Sequence, residues 1–172
     1  MDQLWSPWRY RYVTKQEAST ETGAQRSGCV FCDLLGKQDD EKSLIVFRGE
    51  HNFVVLNLYP YTNGHLMVIP HAHVDSLAET PVDALTELMQ LARRAEIALR
   101  AVYAPQGINL GMNLGECAGA GVVGHIHMHV LPRWFGDANF MTVVGETRVH
   151  IEELAVTWKR LKEAFEVQGQ AF

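Results

Sequence analysis

An α+β fold with an antiparallel sheet is predicted by three observations on the sequence. Short β-rich runs follow one another in series, two longer stretches carry apolar residues at helical spacing, and no βαβ repetition occurs. At 172 residues, with 47% apolar and 20% charged residues, the chain is long enough for one well-buried domain and short for two. Residues 1–28 are therefore read as an arm and connection, and residues 29–172 as a single domain.

In order along the chain, residues 4–13 hold Trp5, Trp8, Tyr10 and Tyr12 among basic residues. Such rings are a liability in water, so this arm is expected to pack on its own domain or on a partner subunit. Residues 14–28 are almost devoid of apolar side chains and read as a mobile connection. Leu44 to Arg48 and Phe53 to Leu58, separated by Gly49-Glu50-His51-Asn52, suit a β-hairpin. His65 to Ile69 is a third strand, halted at Pro70. Thr80-Pro81-Val82-Asp83 reads as a helix start with a hydroxyl cap. Leu85, Leu88, Met89, Ala92, Ile97, Leu99 and Val102 follow its apolar face until Pro105-Gln106-Gly107 stops it. Ile108 to Leu114 is a further strand. Ile151, Leu154, Ala155, Trp158, Leu161 and Phe165 form a last helical stripe, with Glu152 and Glu153 early and Lys159, Arg160 and Lys162 later, as the macrodipole favours.

Between these elements lies Gly124-His125-Ile126-His127-Met128-His129-Val130-Leu131-Pro132-Arg133-Trp134. A period of two is that of a strand with one polar and one apolar face, so the three imidazoles are expected to point the same way, about 6.6 Å apart, until Pro132 ends the ladder. Three rings that can each become cationic must then be desolvated together, which is costly. A hydrogen-bonded histidine face, a metal site and nucleophilic catalysis by one neutral imidazole all compete for this row, and spacing leaves the last two open.

Net charge is −5 with histidines neutral, so long-range attraction to nucleic acid or to an anionic membrane is not expected. The first residues lack the basic start and apolar core of a signal peptide and no long apolar run follows, so a cytoplasmic location is expected. Three cysteines in such a chain read as thiols or metal ligands. Cys29 and Cys32, at C-x-x-C spacing, are half of a possible zinc site, and Cys117 is read as a small buried thiol without a role. Gly119, Gly121 and Gly124 spell G-x-G-x-x-G, but the dinucleotide-binding use of that pattern needs a helix after it, and here a strand follows.

The histidine row, with Pro132-Arg133 after it, resembles the signature of the histidine triad family of nucleotide-binding hydrolases and transferases. The resemblance extends to Asn63-Gly64-His65-Leu66-Met67-Val68-Ile69-Pro70 and to Cys29-Val30-Phe31-Cys32, covering about residues 29 to 134. The stretch from Pro132 to Phe140 further resembles the bacterial members that act on dinucleoside polyphosphates. This implies a five-stranded antiparallel sheet with two main helices, and a homodimer whose two sheets continue into one. It implies an enzyme cleaving nucleotides, adenine nucleotides such as diadenosine tetraphosphate foremost, at the α-phosphorus, with water or phosphate as acceptor and no organic cofactor. His127 is then the nucleophile, His129 a donor to phosphate or leaving group, His65 its support, and His125 the remaining triad member. Asn57 would meet the ribose, Phe31, Val55 and Leu58 the base, and Asn113 with the backbone at Gly119 and Gly121 the phosphates. Where many relatives carry glutamine and a hydroxyl residue, this chain has Ala120, Gly121 and Val122 with one residue inserted, which shifts phosphate contacts toward the backbone. The resemblance also completes the zinc site with His73 and His125, with His71 as the nearby alternative, in a structural role. A phosphoramidate hydrolase, a nucleotide-binding regulatory protein with little turnover and a metal-dependent hydrolase are the competing functions.

Overall fold

The computed structural model describes residues 28–145 and 152–169; the aromatic arm, most of the connection and Ile151 lie outside the described residues. Helices α1 (Val30–Leu35) and α2 (Asp40–Ser43) precede strands β1 (Ile45–Arg48), β2 (Asn52–Leu56) and β3 (Leu66–Pro70). Then come α3 (Val82–Tyr103), β4 (Gly107–Met112), a 3-10 turn at Glu116–Ala118, β5 (Met128–Arg133), α4 (Phe140–Val143) and α5 (Leu154–Gly169). The strands form one sheet in the order β1-β2-β3-β5-β4, every neighbouring pair antiparallel. The α+β class and the five strands are those expected from the sequence.

The sheet is covered on both faces, and for that reason β2 and β3 are buried at every position. On one face Val46, Val54, Leu56, Leu66, Val68 and Val130 pack against Leu88, Leu91, Ala92, Ala95, Ala98 and Leu99 of α3 and Leu161 and Phe165 of α5. Arg94 spans this layer, its guanidinium 4.2 Å from the centroid of Phe47, which is itself stacked on Phe165 at 5.9 Å. On the other face Ile45, Phe53, Val55, Met67 and Ile69 pack against Cys29 and Phe31 of the short α1 segment. Gly64 takes φ +78 where β3 begins, and a Cβ there would lie 2.9 Å from Leu99 Cδ2.

Several boundaries differ from the sequence reading, each for a physical reason. Thr80 does not cap α3: its hydroxyl donates to Ser76 O at 2.8 Å, and Pro81 occupies the N-cap without a side-chain bond. At the other end Ala104 adopts the left-handed conformation, its N–H bonds to Arg100 O at 3.1 Å, and Pro105 cannot continue the helix. The histidine strand begins at Met128, so His125 and His127 precede it, and it runs through Pro132 to Arg133. Pro132 is tolerated because Thr62 Oγ1 donates to its carbonyl at 3.2 Å, on the side beyond the last β3 pair, Leu66 with Val130. The missing N–H lies on that same side and interrupts no ladder. Cys117 is exposed, not buried, because its turn stands outside the sheet. The carboxylates of Glu152 and Glu153 precede α5, and Glu152 Oε2 accepts from Thr157 Oγ1 at 2.7 Å and from the Tyr103 hydroxyl.

Candidate functional site

The site forms where α1 meets the segment leading into β5. His129 pairs with Met67 across β3 and β5, which places it on the α1 face of the sheet. His65, His125, His127 and His129 are all buried, none more than 8% exposed. The rings of His127 and His129 stand 4.9 Å apart, and those of His129 and His65 5.0 Å apart.

Main-chain groups assign the tautomers. The Tyr61 N–H donates to His65 Nδ1 at 3.1 Å, so the proton of a neutral His65 sits on Nε2. That Nε2 is 2.9 Å from His129 Nδ1, which therefore accepts and leaves the His129 proton on its own Nε2. His127 Nδ1 lies 3.0 Å from the His125 carbonyl and must donate to it, so the lone pair is on Nε2. Burial pushes His127 below the ordinary histidine range, against the opposing effect of that bond. Burial, then the neighbouring His127, pushes His129 down to about 4. The result is two neutral rings side by side, one offering a lone pair and the other an N–H.

His125 turns elsewhere. Its Nε2 donates to Pro70 O at 2.9 Å, and its Nδ1 faces Cys29 Sγ at 3.3 Å and Cys32 Sγ at 3.7 Å. His73 Nδ1 lies 3.4 Å from Cys32 Sγ. The four ligand atoms of Cys29, Cys32, His73 and His125 all fall within 4.8 Å of one another, and His71 is not among them. Metal–sulfur and metal–nitrogen bonds of roughly 2.3 and 2.0 Å in a tetrahedron require edges of roughly 3.3–3.8 Å, which these contacts match. Burial and the adjacent Cys29 push the Cys32 thiol up, a cost that a bound cation relieves. The donor set thus fits a metal ion.

The other candidate residues divide. Asn57 Nδ2 is 3.4 Å from His65 Nδ1, and its Oδ1 accepts from Tyr59 N at 2.9 Å. The Phe31 ring lies 5.0 Å from His127 and 5.5 Å from His125, and Phe31 and Val55 share one apolar cluster. Leu58 is not in that cluster: it is 58% exposed and, with His65, Glu152 and Leu154, lines a cleft of about 440 Å³. Asn113 Nδ2 donates to Gly119 O at 3.3 Å and braces the glycine-rich turn, in which Gly119 has φ +92 and Gly121 is exposed.

A family model described as the HIT domain matches residues 38–136. The chain belongs to the HIT family. An AP-4-A phosphorylase of Mycobacterium tuberculosis is 37% identical to this HIT protein over 161 residues, 94% of this chain and 82% of the relative. A zinc-bound histidine triad family protein from Mycobacterium smegmatis is similar in structure, with a TM-score of 0.67 and 27% identity, over 84% of this chain and 97% of that one. A hypothetical histidine triad nucleotide-binding protein from Sulfolobus tokodaii gives the same TM-score at 26% identity, over 84% of this chain and 96% of its own.

Three contributors to the HIT site went unseen in the sequence: the Tyr61 amide, the Pro70 carbonyl and Arg48. The first two are backbone groups that any residue carries. Arg48 acts at a distance, bonding Leu35 O at 2.8 Å, Lys37 O at 2.7 Å and Asp40 Oδ1 at 2.9 Å, and so ties the end of α1 to the sheet. Its only sequence signal was a charge at a strand end.

Proposed function

We propose that this chain cleaves dinucleoside polyphosphates of the diadenosine tetraphosphate kind at the α-phosphorus, through a nucleotidyl intermediate on His127. The observation that carries the reading is the opposed pair of tautomers, with a lone pair on His127 Nε2 beside an N–H on His129 Nε2. His127 Nε2 bonds to phosphorus as the bond to the bridging oxygen breaks, and the leaving nucleotide departs as an anion accepting a hydrogen bond from His129. The positive charge left on the His127 ring is shared with the His125 carbonyl through Nδ1–H. The acceptor oxygen then attacks phosphorus, the electron pair of the phosphorus–nitrogen bond returns to Nε2, and the acceptor's proton passes to solvent. The M. tuberculosis relative, a phosphorylase by name, supports phosphate as that acceptor.

In this reading Asn57 holds the ribose, Phe31 and Val55 flank the base with Leu58 at the rim, and Asn113 shapes the turn whose Gly119 and Gly121 amides approach the phosphates. A zinc ion held by Cys29, Cys32, His73 and His125 crosslinks α1 to the segments before α3 and β5, with no open position for substrate. The edge of β4, unpaired among the described residues, joins its counterpart in a second copy, so that light scattering at the monomer mass of 19.4 kDa counts against a homodimer. No helix among the described residues is long and apolar enough to cross a membrane.

The test is to incubate the purified protein with diadenosine tetraphosphate, with and without inorganic phosphate, and identify the products. ADP plus ATP in the presence of phosphate is expected, AMP plus ATP marks water as the acceptor, and an intact substrate in both arms overturns the reading.

A further inference from the structure

The cleft of about 440 Å³ is walled on one side by the β2–β3 loop, residues 57–65, and on the other by the start of α5. Leu56, Leu58, Pro60 and Leu154 make it apolar, Glu152 and Glu153 add carboxylates, and among the described residues no lysine or arginine lines it. Glu152 is balanced by Arg160 Nη1 at 2.5 Å, whereas Glu153 is exposed. Tyr59 and Tyr61 of the same loop are 79% and 48% exposed, so apolar surface continues along the loop beyond the cleft. An apolar recess of this size with a carboxylate beside it suits aromatic side chains accompanied by a cation.

The chain itself contains such a segment. Residues 4–13 carry Trp5, Trp8, Tyr10 and Tyr12 together with Arg9 and Arg11, and no carboxylate. Residues 14–27 separate them from Gly28, and at roughly 3.3–3.6 Å per residue can span up to about 50 Å. A domain of this length has a radius of gyration of about 15 Å, so reach does not select the surface and chemistry must. The other exposed apolar patch, Phe135, Phe140, Val143 and Val144, offers no free carboxylate, because Asp137 there is gripped by Arg133 at 2.6 and 2.9 Å. We propose that residues 4–13 occupy the cleft of their own chain, with aromatic rings against Leu58, Pro60 and Leu154 and an arginine against Glu153. Tethering keeps the arm at a high effective concentration, so modest contacts suffice and no second copy is required. An occupant there braces the loop that carries Asn57 and the Tyr61 amide, the donor 3.1 Å from His65 Nδ1.

The experiment uses the full chain with Trp8 replaced by the photoreactive p-benzoylphenylalanine. After irradiation the protein is run on a denaturing gel, digested and analysed by mass spectrometry. A product of monomer mass, linked to residues 57–65 or 152–157, is expected. Glu153→Arg should lower its yield about 2- to 5-fold, the scale of an exposed ion pair, as should Arg9→Glu with Arg11→Glu, and combining the two changes should restore it. Separately, Trp5→Ala with Trp8→Ala should speed hydrogen exchange at the Leu58 and Tyr61 amides and leave β2 and β3 protected. Links confined to Phe135–Val144 or to any other surface, or no link at all, overturn the proposal. A product of dimer mass also overturns it, since the cleft would then be filled by another copy's arm. Unchanged exchange at Tyr61 removes the bracing of the loop.

Discussion

At the scale of single residues, burial lowers the pKa of both His127 and His129. Replacing His127 with alanine removes the lone pair but leaves the sheet, so nucleotide binding should survive while turnover falls by roughly 10⁴-fold or more. Mass spectrometry of wild type quenched without acid should find a nucleotidyl adduct on His127. The depressed pKa of His129 also has a stability consequence with a definite sign. Its folded value of about 4 lies below the ordinary 6.5, so between those values the unfolded chain binds a proton that the folded chain does not. Stability therefore falls as pH drops from about 6.5 toward 4, by up to about 3 kcal/mol. Urea midpoints across that range should fall more steeply in wild type than in His129→Asn, and parallel slopes would refute the assignment. Gly64→Ala places a Cβ 2.9 Å from Leu99 Cδ2 at φ +78 and should cost about 1–3 kcal/mol in the same assay. The alternation of histidines made the row legible in the sequence, and spacing left a metal site and a nucleophile both open. Alternation put all three rings on one face, and the turn of the His125 ring toward Cys29 and Cys32 escaped it because that residue precedes β5.

At the scale of elements, the strands and the two long helices announced themselves through period and length, while α1 did not. Six residues make less than two turns, too few for a helical stripe to be recognised, yet this helix carries Cys32 and Phe31 and starts just after Cys29. Thr80-Pro81 resembled a cap because hydroxyl and proline stood in the right order, and a competing bond to Ser76 O decided otherwise. Arg48 is what holds α1 from the far side. Arg48→Ala should release Leu35 O and Lys37 O, cost about 2 kcal/mol, and speed tryptic cleavage after Lys37 while leaving the cores of β2 and β3 resistant. Equal cleavage rates in variant and wild type would show that α1 is anchored by other contacts.

At the scale of the whole molecule, the two faces of the sheet divide the labour: α3 and α5 supply the bulk of the apolar core on one, and α1 builds the site on the other. Leu99→Ala, in the helical face of the core, should cost about 2–5 kcal/mol of stability in chemical denaturation and leave kcat per folded molecule unchanged. The strand order β1-β2-β3-β5-β4 has a further consequence for how the protein is made. The last strand to leave the ribosome is inserted between β3 and β4, which until then have no common partner. A nascent chain stopped short of Met128 therefore exposes the edge of β3, an entirely apolar strand, to other chains and is prone to aggregate. The strand that closes the sheet carries His129 and directly follows His127, so a chain too short to close its sheet is also too short to carry His129.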